Sequence, residues 1–263
     1  MSDVLELLGL AWAVAATLQL VLWTIQQRTR NAGIVDVGWA ASFSLVITVF
    51  ALRASGGAWV PIVVVVAAWS VRLTAHLISR GTARSPEEGR YVAMRERWGA
   101  NASRNFFVFF QAQAALTAVL ASAFVIPFIA SPWDSGWLRM LGVTVSVAGV
   151  LGESIADAQL SRFRRSNKGK VCDVGLWSWS RHPNYFFEWC VWIGYAVYGL
   201  AFGAWGLIAI APQAILLMSI LFVTGIPPTE AQSIKSRGDA YRAYQKRVSK
   251  FVPWPPKARS PDA

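Results

Sequence analysis

Apolar residues fill the chain in runs of about twenty, the length at which an α-helix crosses the hydrocarbon of a bilayer. Such runs fall near residues 4–26, 33–53, 58–79, 105–130, 137–158, 183–203 and 204–226. They predict an all-α, polytopic membrane protein with a bundle of seven transmembrane helices. Between Tyr185 and Ile226 only Gly199, Gly203 and Gly206 interrupt the apolar pattern. A helical hairpin turning at these glycines suits the lengths better than one very long helix.

The polar positions orient this arrangement. With the N-terminus outside and the C-terminus cytoplasmic, 22 of the 25 Lys and Arg residues fall on one side, and only Arg53, Arg139 and Arg72 do not. Cytoplasmic loops carry such an excess of Lys and Arg, so that side is predicted to be the cytoplasm. Trp59, Trp133, Trp137 and Trp205 then gather at the outer boundary, where indoles favour the headgroup level. The net charge of +11 follows from this topology and from anionic membrane lipids on the inner leaflet, and calls for no nucleic acid.

Composition agrees: 55% of the 263 residues are hydrophobic, 14 are Trp, and mean hydropathy is +0.41. Cys172 and Cys190 are placed in a loop and in a span, which favours neither a disulfide nor a metal. The first residues lack a basic stretch ahead of the apolar run, so the first helix is expected to be retained. Residues 255–263 are expected to form a flexible tail. The soluble nucleotide signatures, G-x-G-x-x-G after a strand and the Walker P-loop, are absent, so any nucleotide site must be built from helices.

Charge at membrane depth is costly, roughly 2.5 to 3.5 kcal/mol on insertion scales, and marks candidate chemistry. Glu153, Asp157, Ser161 and Arg164 recur at spacings of four, four and three, one helical face at the end of the fifth span. Arg162, Arg165, Lys168 and Lys170 follow, either a cluster for phosphates or an ordinary positive-inside loop. In Ser180-Arg181-His182-Pro183-Asn184-Tyr185, Pro183 marks a helix start, whose free N–H groups favour an anion, and Arg181 and His182 add to that field. Asn184 and Glu188 share a face, where an amide and a carboxylate can read ribose hydroxyls or a carboxamide; alternatively Glu188 pairs with Arg164 or Arg181.

Arg72, His76 and Arg80 form a basic stripe, followed by a loop, Ser85 to Tyr91, that contains Glu87 and Glu88. Asp36 sits a few residues inside the second span, either as an interfacial helix-start acid or as a site acid. The run from Pro227 to Trp254 predicts an amphipathic cytoplasmic helix in which Tyr241 and Tyr244 face one way, in packing or in ligand contact.

These residues resemble the membrane-embedded steroid 5α-reductase family, in its broad bacterial branch, most clearly from Gly152 to Glu188 and from Tyr241 to Trp254. Asp36 and Gly89-Arg90-Tyr91 match more loosely. The resemblance implies a seven-helix fold in the bacterial inner membrane, with NADPH bound on the cytoplasmic side and a lipophilic enone entering from the bilayer. It implies that Asp157, Arg164, Asn184 and Glu188, with Tyr244 as a looser match, bind the cofactor, beside the anion-favouring Arg181 and His182 of the helix start, and that Asp36 and Tyr91 are catalytic. The chain departs from the family at Val35-Asp36, where a Gln-Glu pair is usual, and at Gly89-Arg90-Tyr91, which lacks the family's Pro.

A single membrane-embedded domain follows from this resemblance, with substrate-side helices in about 1–131 and cofactor-binding helices and loops in about 137–254. Two other readings stay open. The Arg-His-Pro-x-Tyr motif and the tail are also similar to isoprenylcysteine carboxyl methyltransferases, which bind S-adenosylmethionine. A non-enzymatic membrane protein with structural charge pairs is the other.

Overall fold

The computed structural model describes residues 2–54, 57–84, 86–133 and 136–258. Ser85, and residues 259–263 of the expected tail, lie outside the described residues. The chain is all-helical: α1 (Ser2–Thr29), α2 (Ile34–Arg53), α3 (Val60–Ser79), α4 (Gly89–Trp98), α5 (Ala102–Ala121), α6 (Trp137–Ser166), α7 (Pro183–Leu200), α8 (Ile210–Met218) and α9 (Ile226–Arg247). No strand forms among the described residues; a single bridge pairs Ser180 with Ser249. Among the described residues, five helical stretches are long and apolar enough to cross a membrane: α1, α2, α3, α6 and the run Gly203–Arg247. This is the composition of an integral membrane protein.

Element ends depart from the hydropathy boundaries for local reasons. The fourth apolar run extends to residue 130, yet α5 stops at Ala121 and the chain passes into a 3-10 turn, Ile126–Phe128, where Pro127 offers no N–H. The expected loop from Ser85 to Tyr91 ends early, because helix α4 begins at Gly89; Gly99, at φ 50°, ends that helix. The last apolar run is segmented into a 3-10 turn at Gly203–Ala209, α8 and a π turn at Ser219–Val223.

The chain divides into two compact units, Met1–Arg139 with Tyr198–Pro212, and Met140–Val197 with Gln213–Ala263, the divisions falling inside α6, α7 and α8. In the first unit α1 presents Leu7, Ala11, Ala15 and Gln19, each four residues on and each buried, as one narrow stripe. At Gly38 of α2 a Cβ would run into Leu22 of α1, so that crossing depends on the missing side chain. α2 and α3 are joined by a polar clasp: Ser70 Oγ donates to the Ala40 carbonyl at 2.6 Å and accepts from Ser44 Oγ at 2.7 Å. Small hydroxyls let helices approach closely and satisfy each other where water is absent. Beside the clasp lies an aromatic core of Trp39, Phe43, Trp69 and Phe124, whose rings meet mostly edge to face.

In the second unit α6 and α7 approach through glycines. Gly149 and Gly152 lie against Val191 and Phe187, Gly194 lies against Ser146, and Ser146 Oγ donates to the Val191 carbonyl at 3.1 Å. These contacts bring the polar residues of the two helices to a common level.

The turn after α7 is equally tight. Gly203 adopts φ 69°, and a Cβ on Gly206 would overlap the carbonyl oxygen of Gly199. Gly206→Ala is expected to cost about 1 to 3 kcal/mol through overpacking, whereas Gly9→Ala, which meets nothing within 4 Å, is neutral or stabilising. Thermal unfolding in detergent, monitored by intrinsic fluorescence, checks both variants.

Candidate functional site

In the first unit the site begins at the turn between α1 and α2. Arg30 ends α1 at φ 54°, and the next residues are clamped by the segment between α3 and α4. Asn31 donates to the Arg84 carbonyl at 2.6 Å and accepts from the Gly33 N–H at 2.9 Å. Glu87 accepts the Ala32 N–H at 2.6 Å and holds Arg95 through both carboxylate oxygens, at 2.8 and 3.1 Å. Gly33 packs so closely on the Thr82 carbonyl that a Cβ there would clash. The first turn of α2 is thereby fixed against the start of α4.

That fixation brings Asp36 and Tyr91 together. The Tyr91 hydroxyl donates to Asp36 Oδ1 at 2.9 Å, and Arg90 pairs with Oδ2. Arg90 also spans the Tyr91 ring, 4.6 Å from its centroid, and lies 3.4 Å from Glu88. Tyr91 is 1% exposed, packed among Ala32, Val35, Ala102, Phe106 and Phe110. Burial, and next the Asp36 carboxylate, hold its phenol well above 10, so it keeps its hydrogen as a donor at neutral pH. The two residues expected to meet a substrate carbonyl are thus one hydrogen-bonded pair.

In the second unit Asp157 and Asn184 also meet: Asn184 Nδ2 lies 3.4 Å from Asp157 Oδ1, a long hydrogen bond. Asp157 and Glu153 are buried on α6, while Ser161 and Arg164 are exposed, so the polar face leaves the core within two turns. Arg164 acts electrostatically on Cys172 in the loop that follows. Glu188 is half-buried on α7, one turn beyond Asn184.

Arg181, His182 and Tyr244 have internal work. Arg181 Nε meets Glu230 at 2.7 Å, and its Nη1 donates to the carbonyls of Gln245 and Val248 at 2.9 and 2.8 Å. His182 Nε2 lies 3.2 Å from Glu230, and its ring stacks on Tyr185. Gln245 donates to the other Glu230 oxygen at 2.9 Å. The Tyr244 hydroxyl donates to the Trp177 carbonyl at 2.5 Å. Backbone pairing continues this lock, with the Arg181 N–H to Ser249 at 2.8 Å, the Trp254 N–H to Trp179 at 3.0 Å and Ser180 Oγ to Phe251 at 2.7 Å. The segment from Tyr244 to Trp254 therefore straps the loop that precedes α7.

Sequence reasoning passed over Arg90, Glu87 and Glu230. Their signal was weak: Glu87 and Arg90 stand in a loop rich in charge, and Glu230 is one of many polar residues along α9.

Buried polar pairs set between long apolar helices define the class: an all-helical integral membrane protein with ionisable groups held inside it. The chain belongs to the family described as protein of unknown function (DUF1295), whose profile matches residues 22–248 and so spans every site residue from Asp36 to Tyr244. No curated protein and no solved structure matches the chain at a significant level.

The lock also titrates. Burial holds His182 below its usual 6.5, and although burial alone would raise Glu230, its hydrogen bonds from His182 and Arg181 bring it down to about 2. Below pH 6.5 the unfolded chain takes up the His182 proton before the folded one does, and below 4.5 the same holds for Glu230. Stability in detergent is expected to fall in two stages as pH drops through these values. His182→Gln should flatten the upper stage; a melting temperature that rises on acidification contradicts the assignment.

Proposed function

We propose that the protein is a membrane-embedded oxidoreductase that reduces the C=C of a lipophilic α,β-unsaturated carbonyl, of 3-oxo-steroid-like or other enone lipid type. It does so with NADPH in a seven-span fold of the bacterial inner membrane, N-terminus outside and site towards the cytoplasm. The observation that carries this reading is the Tyr91–Asp36 hydrogen bond of 2.9 Å, a protonated phenol and an acid held together in apolar packing. Hydrogen-bond donors fixed where a carbonyl oxygen gains negative charge are among the strongest catalytic devices, because a preorganised apolar site need not reorient solvent.

The phenol hydrogen now points at Asp36. A proton on Asp36 reverses that bond: the carboxyl donates to the Tyr91 oxygen and frees the phenol hydrogen for a substrate carbonyl. Arg90 opposes that proton, so the exchange is easiest once a ligand draws Arg90 away from Asp36. Tyr91 then stabilises the enolate oxygen, and the α-carbon takes its proton from solvent.

NADPH, when bound, supplies hydride from its nicotinamide C4 to the β-carbon. The donor set of the second unit suits a dinucleotide. Asp157 and Asn184, 3.4 Å apart, present a carboxylate and an amide that suit ribose hydroxyls or a carboxamide, with Glu188 one turn away. Arg181 and His182 are engaged by Glu230, which leaves the phosphates to Arg164 and its exposed neighbours Arg162 and Arg165. Arg181, His182 and Tyr244 serve cofactor binding by shaping the loop before α7.

Two groups of variants separate these roles. Tyr91→Phe and Asp36→Asn are expected to lower turnover about 100-fold or more while nucleotide affinity stays within about 2-fold. Asn184→Ala and Arg164→Ala are expected to weaken NADPH binding about 10-fold, the loss of one hydrogen bond to a charged or polar ligand. Isothermal titration with NADPH and with S-adenosylmethionine, on purified protein in mild detergent, checks the cofactor. Saturable binding of S-adenosylmethionine in place of NADPH would overturn the reductase assignment.

A further inference from the structure

One donor beside the Asp36–Tyr91 pair is unmatched. Trp39 lies three residues after Asp36 on α2, on the same helical face and about 4.5 Å farther along the axis. Its ring is held edge-on by Phe43, centroids 5.2 Å apart, and by Trp69 at 6.2 Å. Its Nε1 is buried with no hydrogen-bond partner among the described residues. Within a membrane span no water stands ready to accept that hydrogen, and an unmet N–H there is costly. The edge-on contacts with Phe43 and Trp69 restrict rotation of the indole.

We propose that Trp39 Nε1 binds a second oxygen of the substrate, which makes that substrate a cyclic enedione: two carbonyls across one ring, as in a para-quinone. This rests on the enone reading given above and narrows it. One carbonyl sits at Tyr91 and Asp36; the other, about one helical turn deeper, accepts from Trp39. An axial rise of about 4.5 Å is on the scale of the spacing between oxygens on opposite sides of a six-membered ring. Chemically the second donor acts on the same double bond, since each alkene carbon of an enedione is conjugated to both carbonyls. One alkene carbon gains the hydride of NADPH, the π pair moves to the other, and that carbon takes a proton from solvent. The products are NADP⁺ and the dione reduced at that double bond; when the substrate is a true quinone, that reduced product keeps its second C=C and tautomerises to the hydroquinone.

Isophorone and 4-oxoisophorone test this, because they share a ring skeleton and differ by one carbonyl. Each is titrated into the full-length protein in mild detergent without nucleotide, and binding is read by isothermal titration. The wild type is expected to hold 4-oxoisophorone about 10-fold more tightly than isophorone, the effect of one hydrogen bond. Trp39→Phe is expected to bring that ratio close to one. Lost ring volume weakens both probes alike, so the ratio isolates the N–H. Equal affinity of the two probes for the wild type, or an unchanged ratio in Trp39→Phe, overturns the proposal. If the variant does not fold, the wild-type ratio decides alone. Binding of isophorone without preference for the dione defeats only the second oxygen, whereas binding of neither probe defeats the enone reading as well.

Discussion

Each unit depends on one partly buried acid that ties a loop to a helix. Glu87, whose side chain is 8% exposed, gathers the Ala32 N–H and the Arg95 guanidinium, and so sets where α2 begins. Glu230 gathers Arg181, His182 and Gln245, and so sets where α7 begins. Both do what apolar packing cannot. A loop at a membrane boundary exposes backbone donors and side-chain cations that hydrocarbon will not solvate, and a carboxylate with several partners satisfies them at one point. Asp36 with Tyr91, and Asp157 with Asn184, stand on helices placed by these acids.

The legible part of the fold was the part governed by hydropathy. Length and apolarity alone located α1, α2, α3 and α6, and the glycines at 199, 203 and 206 located the turn after α7. Boundaries set by backbone chemistry were less visible. Regular helix stops at Ala121 inside an apolar stretch, and α4 is helical although its sequence is polar, because Tyr91 and Trp98 bury one face against Phe106. Periodicity over ten residues with so few apolar positions gives little signal.

For the site, the legible feature was which residues stand out, and the obscure one was which of them already hold each other. Asp36 and Tyr91 are 55 residues apart, Asp157 and Asn184 are 27 apart, and both pairs meet. Arg181, His182 and Tyr244 stand out just as strongly by type, yet their polar atoms bind Glu230 and the backbone carbonyls of Trp177, Gln245 and Val248. A cation beside a helix start looks the same in sequence whether it awaits a phosphate or grips a neighbour. Only the location of an acid such as Glu230, distant in sequence, distinguishes the two.

The strap over the loop before α7 also imposes an order on biosynthesis. Trp177 receives its bond from Tyr244, which is translated 67 residues later, and Trp179 is paired with Trp254, later still. When α7 has just been synthesised, its leading loop still has bare carbonyls and an Arg181 with no counter-charge from Glu230. Nascent protein must therefore pass through an interval in which this corner is solvated or shielded by the insertion machinery.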